Sequence, residues 1–414
     1  MTSDTDEGND PIKIEISEGS KYKQFFEKGL GALLSDPNFL LLYVPENGAK
    51  MQVIRPASDS YHRRRMIRRI NEAEDIPSFY YALSHLWGTT ENERYHWNDI
   101  NEYVDGEDGQ PVKPVSMRPE KRDTLLALLK DEPDSYWWID VLCSRTDTPL
   151  DIMGNIYACC LECVALIDCE PGLISRINLM DDYDMSHFEQ HCSNDVEAAK
   201  QCYDQCCQFI DSMHILIQSR WWRRVWTWQE MVLPLGEVHL MAETGTHEPS
   251  SNTITVDDLT RRFNYISYFT RSIEDRYEDN EEFERKEAAI RLRYVGVETL
   301  ESWYTDTRMA RLYGKERIQF ESVENFATLL VSTMTHSPRR CMDPVDYVYG
   351  VLGLFQIEIP RMDDPVAVWK LFLSEMDKLL SHETSLRISY RAYEVDLRKV
   401  PDTSFVYRHL VAYQ

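Results

Sequence analysis

Four short apolar runs of strand length recur through the middle of this chain with helix-length segments between them, at residues 80–87, 136–142, 163–167 and 237–241. Between them, residues 120–130 place Leu125, Leu126, Leu128 and Leu129 on one helical face, and residues 150–162 read as a second helix. A third helix is expected to begin at Asn194, with Glu197 at the capping-box position. Val196, Ala199, Tyr203, Cys206, Ile210, Met213 and Ile217 then recur at spacings of three and four. Strands joined by helix-length segments cannot pair as tight hairpins; they pair parallel and need helical cover. The expected fold is therefore α/β, a parallel sheet with helices on both faces.

The flanks are less regular. Residues 1–20 read as a disordered acidic tail, residues 21–34 as a helix and residues 39–44 as a buried strand. The run His62-Arg63-Arg64-Arg65-Met66-Ile67-Arg68-Arg69 sits in a helix-like segment over residues 61–71. Residues 104–112 carry the glycines and acids of a hairpin-type turn. Beyond residue 243 the composition shifts: residues 250–255 read as a polar loop and residues 274–286 as an exposed charged helix. Residues 325–334 and 365–380 have helical apolar spacing. The expected organisation is a tail over 1–20, a helix and strand extension over 21–75, a central domain over 76–243 and a mostly helical region over 244–414.

Composition excludes some roles. A formal charge of −25 opposes binding to a phosphate backbone, so no nucleic-acid partner is expected, and the arginine run reads as a solvated helix face. No apolar run approaches the ~20 residues that span a bilayer, so no membrane partner is expected. The polar, acidic residues 1–10 resemble neither a secretory signal nor a transit peptide, and a cytoplasmic protein is expected. Of the ten cysteines, only Cys160-Leu161-Glu162-Cys163 has zinc-ligand spacing, without a second such pair. Buried thiols are expected, with no metal and no cofactor.

The densest chemistry lies in Ser219-Arg220-Trp221-Trp222-Arg223-Arg224-Val225-Trp226-Thr227-Trp228-Gln229-Glu230. Indole N–H and guanidinium groups both demand partners when buried, which makes them costly as plain filling. The arginines can hold an anion or pair with Glu230. The plainer reading is a buried helix start whose tryptophans fill a core seam.

Two upstream blocks accompany this stretch: Tyr80-Tyr81-Ala82-Leu83-Ser84-His85-Leu86-Trp87-Gly88 and Trp137-Trp138-Ile139-Asp140-Val141-Leu142-Cys143. In this order the three resemble the signature blocks of the fungal heterokaryon incompatibility (HET) domain. Cys341-Met342-Asp343-Pro344-Val345-Asp346-Tyr347-Val348-Tyr349-Gly350-Val351-Leu352-Gly353-Leu354 looks like the segment that follows this domain in many such proteins. The resemblance implies a role in fungal nonself recognition, through growth arrest or cell death, with a protein partner or self-association.

The HET family is similar at a distance to Toll/interleukin-1 receptor (TIR) domains, some of which cleave NAD with the Glu of a W-x-x-x-E stretch. By that resemblance Trp226-Thr227-Trp228-Gln229-Glu230 makes Glu230 the catalytic carboxylate of an NAD glycohydrolase, with NAD as substrate. Tyr81 or a tryptophan would stack on the leaving ring, and Arg223 or Arg224 would meet the diphosphate. Ser84, His85, Trp87, Gly88, Asp140, Cys143, Trp226 and Gln229 complete the expected pocket, because ligands collect outside the carboxyl ends of parallel strands. The plainer reading of Glu230 is an acid at a helix start, or the internal partner of an arginine. A Ser84–His85–Asp140 triad lacks a nucleophile elbow, and a Cys143–His85 pair has no further support. The chain departs from the family pattern at His85, where a Tyr is usual, and at Thr146, where a Gln is usual. An altered rim also suits a non-catalytic interaction scaffold.

Overall fold

The computed structural model describes residues 12, 21–88, 94–145, 147–179, 195–245, 252–277, 331–381 and 386–413, with parts of 281–293. The expected tail over 1–20, apart from residue 12, lies outside the described residues, as do 325–330, Thr146 and part of the charged run over 274–286.

Eight strands form one sheet: β1 (Leu41–Val44), β2 (Met51–Ile54), β3 (Tyr81–His85), β4 (Val104–Asp105), β5 (Ser135–Ile139), β6 (Glu162–Ile167), β7 (Val238–Ala242) and β8 (Thr253–Thr255). Their order is β4-β2-β1-β5-β3-β6-β7-β8. The four runs read from the sequence are the central strands β5-β3-β6-β7, and every pairing among them is parallel. Taken in chain order these four stand second, first, third, fourth across the sheet, the flavodoxin-like arrangement. In that arrangement the chain reverses its direction of winding between the first strand and the third, here β3 and β6. In open α/β sheets, ligands collect outside the carboxyl ends of the two strands at that point.

The margins are mostly antiparallel, apart from the parallel pair of β2 with β4, and were less visible. β1 pairs antiparallel with both β2 and β5, and β8 pairs antiparallel with β7. The polar segment expected as a loop over 250–255 thus contributes Thr253–Thr255 to the sheet edge. Ile254 is buried there, and two flanking β-branched threonines suit an edge strand. The turn over 104–112 is hairpin-like as expected. Gly109 adopts φ +71°, and Asp105 bridges Pro111 antiparallel.

Element ends moved for identifiable reasons. The strand expected over 136–142 stops at Ile139, because the Asp140 side chain accepts a hydrogen bond from Val141 N at 2.7 Å and Asp140–Cys143 closes a helical turn. The helix expected over 150–162 spans only Ile152–Ala158. Past it, Ser78 Oγ donates to Cys159 O at 2.5 Å, and Leu161 N donates to Tyr80 O at 2.7 Å. The long helix begins at Val196, and its cap is Asp195, whose carboxylate accepts from Glu197 N and Ala198 N. Val196 itself is exposed, whereas Ala199, Tyr203, Cys206, Ile210 and Met213 are buried as the spacing required.

Beyond the sheet, Val256–Arg276 and Pro365–Ser381 are helices. A two-stranded ribbon, β9 (Leu386–Ile388) with β10 (Val411–Tyr413), adds to this mostly helical region. The core is continuous from Leu30 to Leu410, and Trp137, Trp138, Trp221 and Trp228 are its largest fully buried side chains. No helix among the described residues is long and apolar enough to cross a membrane, and no group of three or more metal-ligating side chains occurs among them.

Candidate functional site at the carboxyl edge of the sheet

Each central strand ends on a polar residue or is directly followed by an acidic one. β3 ends in Ser84 and His85; Asp140 follows β5, Asp168 follows β6 and Glu243 follows β7. Successive residues on a strand face opposite sides, so Ser84 and His85 serve different networks.

Ser84 faces Glu230. Its hydroxyl donates to Glu230 Oε2 and accepts from Trp221 Nε1 at 2.7 Å. Glu230 lies in the short helix Thr227–Val232, which follows the β6-to-β7 crossover helix. It is 5% exposed, and Tyr157 also donates to its carboxylate. Burial pushes the Glu230 carboxyl up to about 7, even though the Arg224 guanidinium and the Ser84 hydrogen bond pull the other way. Arg224 is itself fixed, donating from Nη1 to His85 O at 2.7 Å.

His85 faces the second network. Its Nε2 lies 2.9 Å from Asp140 Oδ1, and its Nδ1 lies 3.3 Å from Lys121 Nζ. Burial, with Lys121 beside it, holds His85 below the usual imidazole range despite Asp140. Its ring is thus biased toward the neutral form, with Asp140 on Nε2 and both Leu86 O, at 3.0 Å, and Lys121 on Nδ1. Burial pushes the Asp140 carboxyl up, but His85, Trp87 and Arg224 more than offset it and leave it below its ordinary value. The Trp87 indole donates to Asp140 Oδ2 while its ring stays 44% exposed at the rim. Lys121 is fully buried, 3.6 Å from Glu243, which also pairs with Arg118. Burial drops the Lys121 ammonium to about 7. Asp168 receives Arg220 Nε at 2.9 Å and Trp221 N at 3.2 Å, holding the start of the Trp/Arg stretch at the end of β6.

Of the residues expected in a pocket, the structure gathers Ser84, His85, Trp87, Asp140, Arg224 and Glu230. It does not gather Tyr81, whose ring stacks on Trp137 at 4.8 Å near the opposite end of β3. Cys143 turns inward, within 3.8 Å of Trp137 O, and burial raises its thiol to about 12, which removes the thiolate a nucleophile needs. Arg223 points outward to Gln218 Oε1. Gln229 faces away, donating to Tyr349 O and accepting from Gly353 N, both at 2.9 Å. Trp226 donates to Asp346. Gly88 serves through its backbone: a Cβ there would lie 2.8 Å from Met117 N, so only glycine lets that loop close. Ser84, His85 and Asp140 do not form a triad, since Ser84 bonds Glu230 and not His85.

Sequence reading missed Lys121, Arg118, Asp168, Glu243 and Tyr157. Two of these carried a usable signal. Asp168 and Glu243 directly follow the apolar runs of β6 and β7, as Asp140 follows β5.

Residues 80–230 match the family model described as Heterokaryon incompatibility protein (HET), and the match ends on Glu230 itself. Residues 80–230 are a HET domain. Neither curated proteins nor solved structures provide a match to the chain. The HET domain supports a function of the heterokaryon incompatibility type. Its signature blocks supply the gathered groups: the first provides Ser84, His85 and Trp87, the second Asp140, and the third Arg224 and Glu230.

Proposed function

We propose that this chain is an effector of nonself recognition whose HET domain hydrolyses the nicotinamide–ribose bond of NAD, with Glu230 as the acting carboxylate. The observation that supports the reading is the hydrogen bond that ties Glu230 to Ser84, on the first parallel strand where the strand order reverses. In such a reaction the C1′–N bond breaks and its electron pair passes to the pyridinium nitrogen, so nicotinamide leaves neutral. A water oxygen then bonds to C1′ and gives up its proton. A carboxylate beside the ribose stabilises the oxocarbenium-like charge that develops between these events. Arg224 would meet the diphosphate, and Trp87 would offer the stacking surface. Loss of cytoplasmic NAD would then produce growth arrest or cell death.

A second reading, a non-catalytic module acting by self-association or partner binding, is favoured by one feature. Glu230 is closed off, while Trp87 stands exposed as an interface anchor would. Nicotinamide release followed across a protein concentration series separates the two. Release proportional to enzyme supports the hydrolase. Assembly without release, abolished by Trp87→Ala, supports the module.

A further inference from the structure

The matched HET region ends at Glu230, yet its last turns are gripped by residues far downstream. Arg340 N donates to Arg223 O and Arg340 O accepts from Val225 N at 3.0 Å, forming a parallel bridge. The buried Arg339 guanidinium donates to Arg224 O at 2.9 Å and Thr227 Oγ1 at 2.6 Å, and lies 5.4 Å from the Trp228 ring centre. Asp346 accepts from the Trp226 indole. Gly350 packs on Val225, where any Cβ would fall 2.8 Å from Val225 Cγ1. Tyr349 O and Gly353 N close on Gln229. Every residue from 223 to 229 is thus tied or packed by one strap over residues 339–353.

We propose that Asp346 is a positioning residue of the Glu230 site, acting through Trp226 and Arg224, and that the strap is part of the functional unit. The inference rests on the reading of Glu230 given above. Asp346 is half-buried near Arg224, with Asp343, Arg361 and Cys341 as its other ionisable neighbours. Arg224 therefore stands among three carboxyl groups, Glu230, Asp140 and Asp346. Glu230 in turn is faced by Arg224, Asp140 and Tyr157, with Cys163 and Arg339 also in range. A charge on Asp346 shares the Arg224 guanidinium with Glu230, and that sharing keeps Glu230 harder to ionise. The indole bond to Asp346 fixes the ring of Trp226 four residues before Glu230.

The test uses the full chain labelled with carboxyl-13C glutamate, the Glu230 resonance being identified by its loss in Glu230→Gln. Asp346→Asn keeps the shape and removes the charge. Trp226→Phe removes the indole donor, raises Asp346 toward its neutral form, and serves as a second variant should the first fold poorly. In both, the Glu230 titration midpoint is expected to fall by at least about half a unit. The acid limb of nicotinamide release should move the same way, with the rate constant reduced at least about tenfold by misplacement. A Glu230 midpoint unchanged in both folded variants overturns the positioning role. If the wild type releases no nicotinamide, the hydrolase reading fails, and the carboxyl titration still decides the role of Asp346.

Discussion

Glu230 concentrates the chemistry at the scale of single residues, and its ionisation should be readable in two ways. Its folded-state pKa, about 7, lies above the ordinary carboxylate value of 4.5. The proton it holds therefore stabilises the fold fully below about pH 4.5, and that stabilisation is lost as pH rises through about 7. Glu230→Gln mimics the neutral form, so its thermal midpoint should gain on the wild type between pH 6 and pH 8, by thermal denaturation at roughly those two values. A difference independent of pH would contradict the assignment. Arg224→Gln removes the largest influence favouring the carboxylate, so Glu230 should titrate above 7 and the acid limb of any activity should shift upward. Ser84→Ala strips the acceptor from the buried Trp221 indole and a donor from Glu230. Chemical denaturation should show a loss of ~1–3 kcal/mol, the cost of a buried polar group left unpaired.

At the scale of elements, the central strands and main helices were legible because their side chains obey one period over a whole run. Leu125, Leu128 and Leu129 are buried as that period demands, and so are the inner residues of the helix capped by Asp195. Very short elements without a repeated pattern were not legible. β2, β4 and β8 have two to four residues each, and only their neighbours in the sheet determine them. The strap contains a recognisable motif, but nothing in its spacing reveals that it grips residues 223–229. That contact joins positions more than a hundred residues apart, and no local pattern encodes it. Close glycine packing is its most testable part. A Cβ on Gly353 would lie 2.8 Å from the Gly154 backbone, where no flexible side-chain end can yield. Gly353→Ala should therefore cost ~1–3 kcal/mol by overpacking. Hydrogen exchange should quicken at residues 224–230 more than in β6.

For the whole molecule, the family match is smaller than the unit that folds. Region 80–230 excludes β1, whose removal exposes an edge of β5. It also excludes β7, whose loss exposes the flank of β6, and the strap behind Glu230. A fragment limited to these residues should bind a hydrophobic dye and lose near-ultraviolet dichroism, whereas the full chain should not. The site shows the same division. Ser84, His85, Asp140, Arg224 and Glu230 were readable because they sit in recognisable blocks at strand ends. Lys121 and Tyr157 reach the same place from connecting segments, and only the closed fold brings them there.

The proposed action of Glu230, held by Ser84 where the strand order reverses between β3 and β6, is on the nicotinamide–ribose bond. Its most direct test is chromatographic measurement of nicotinamide and ADP-ribose formed from NAD by the full chain, wild type beside Glu230→Gln, with folding verified by dichroism. Hydrolysis at Glu230 should give equimolar products from the wild type and a loss of at least about a hundredfold in the variant. Equal product formation by both proteins, or none from the wild type at any concentration, would contradict it.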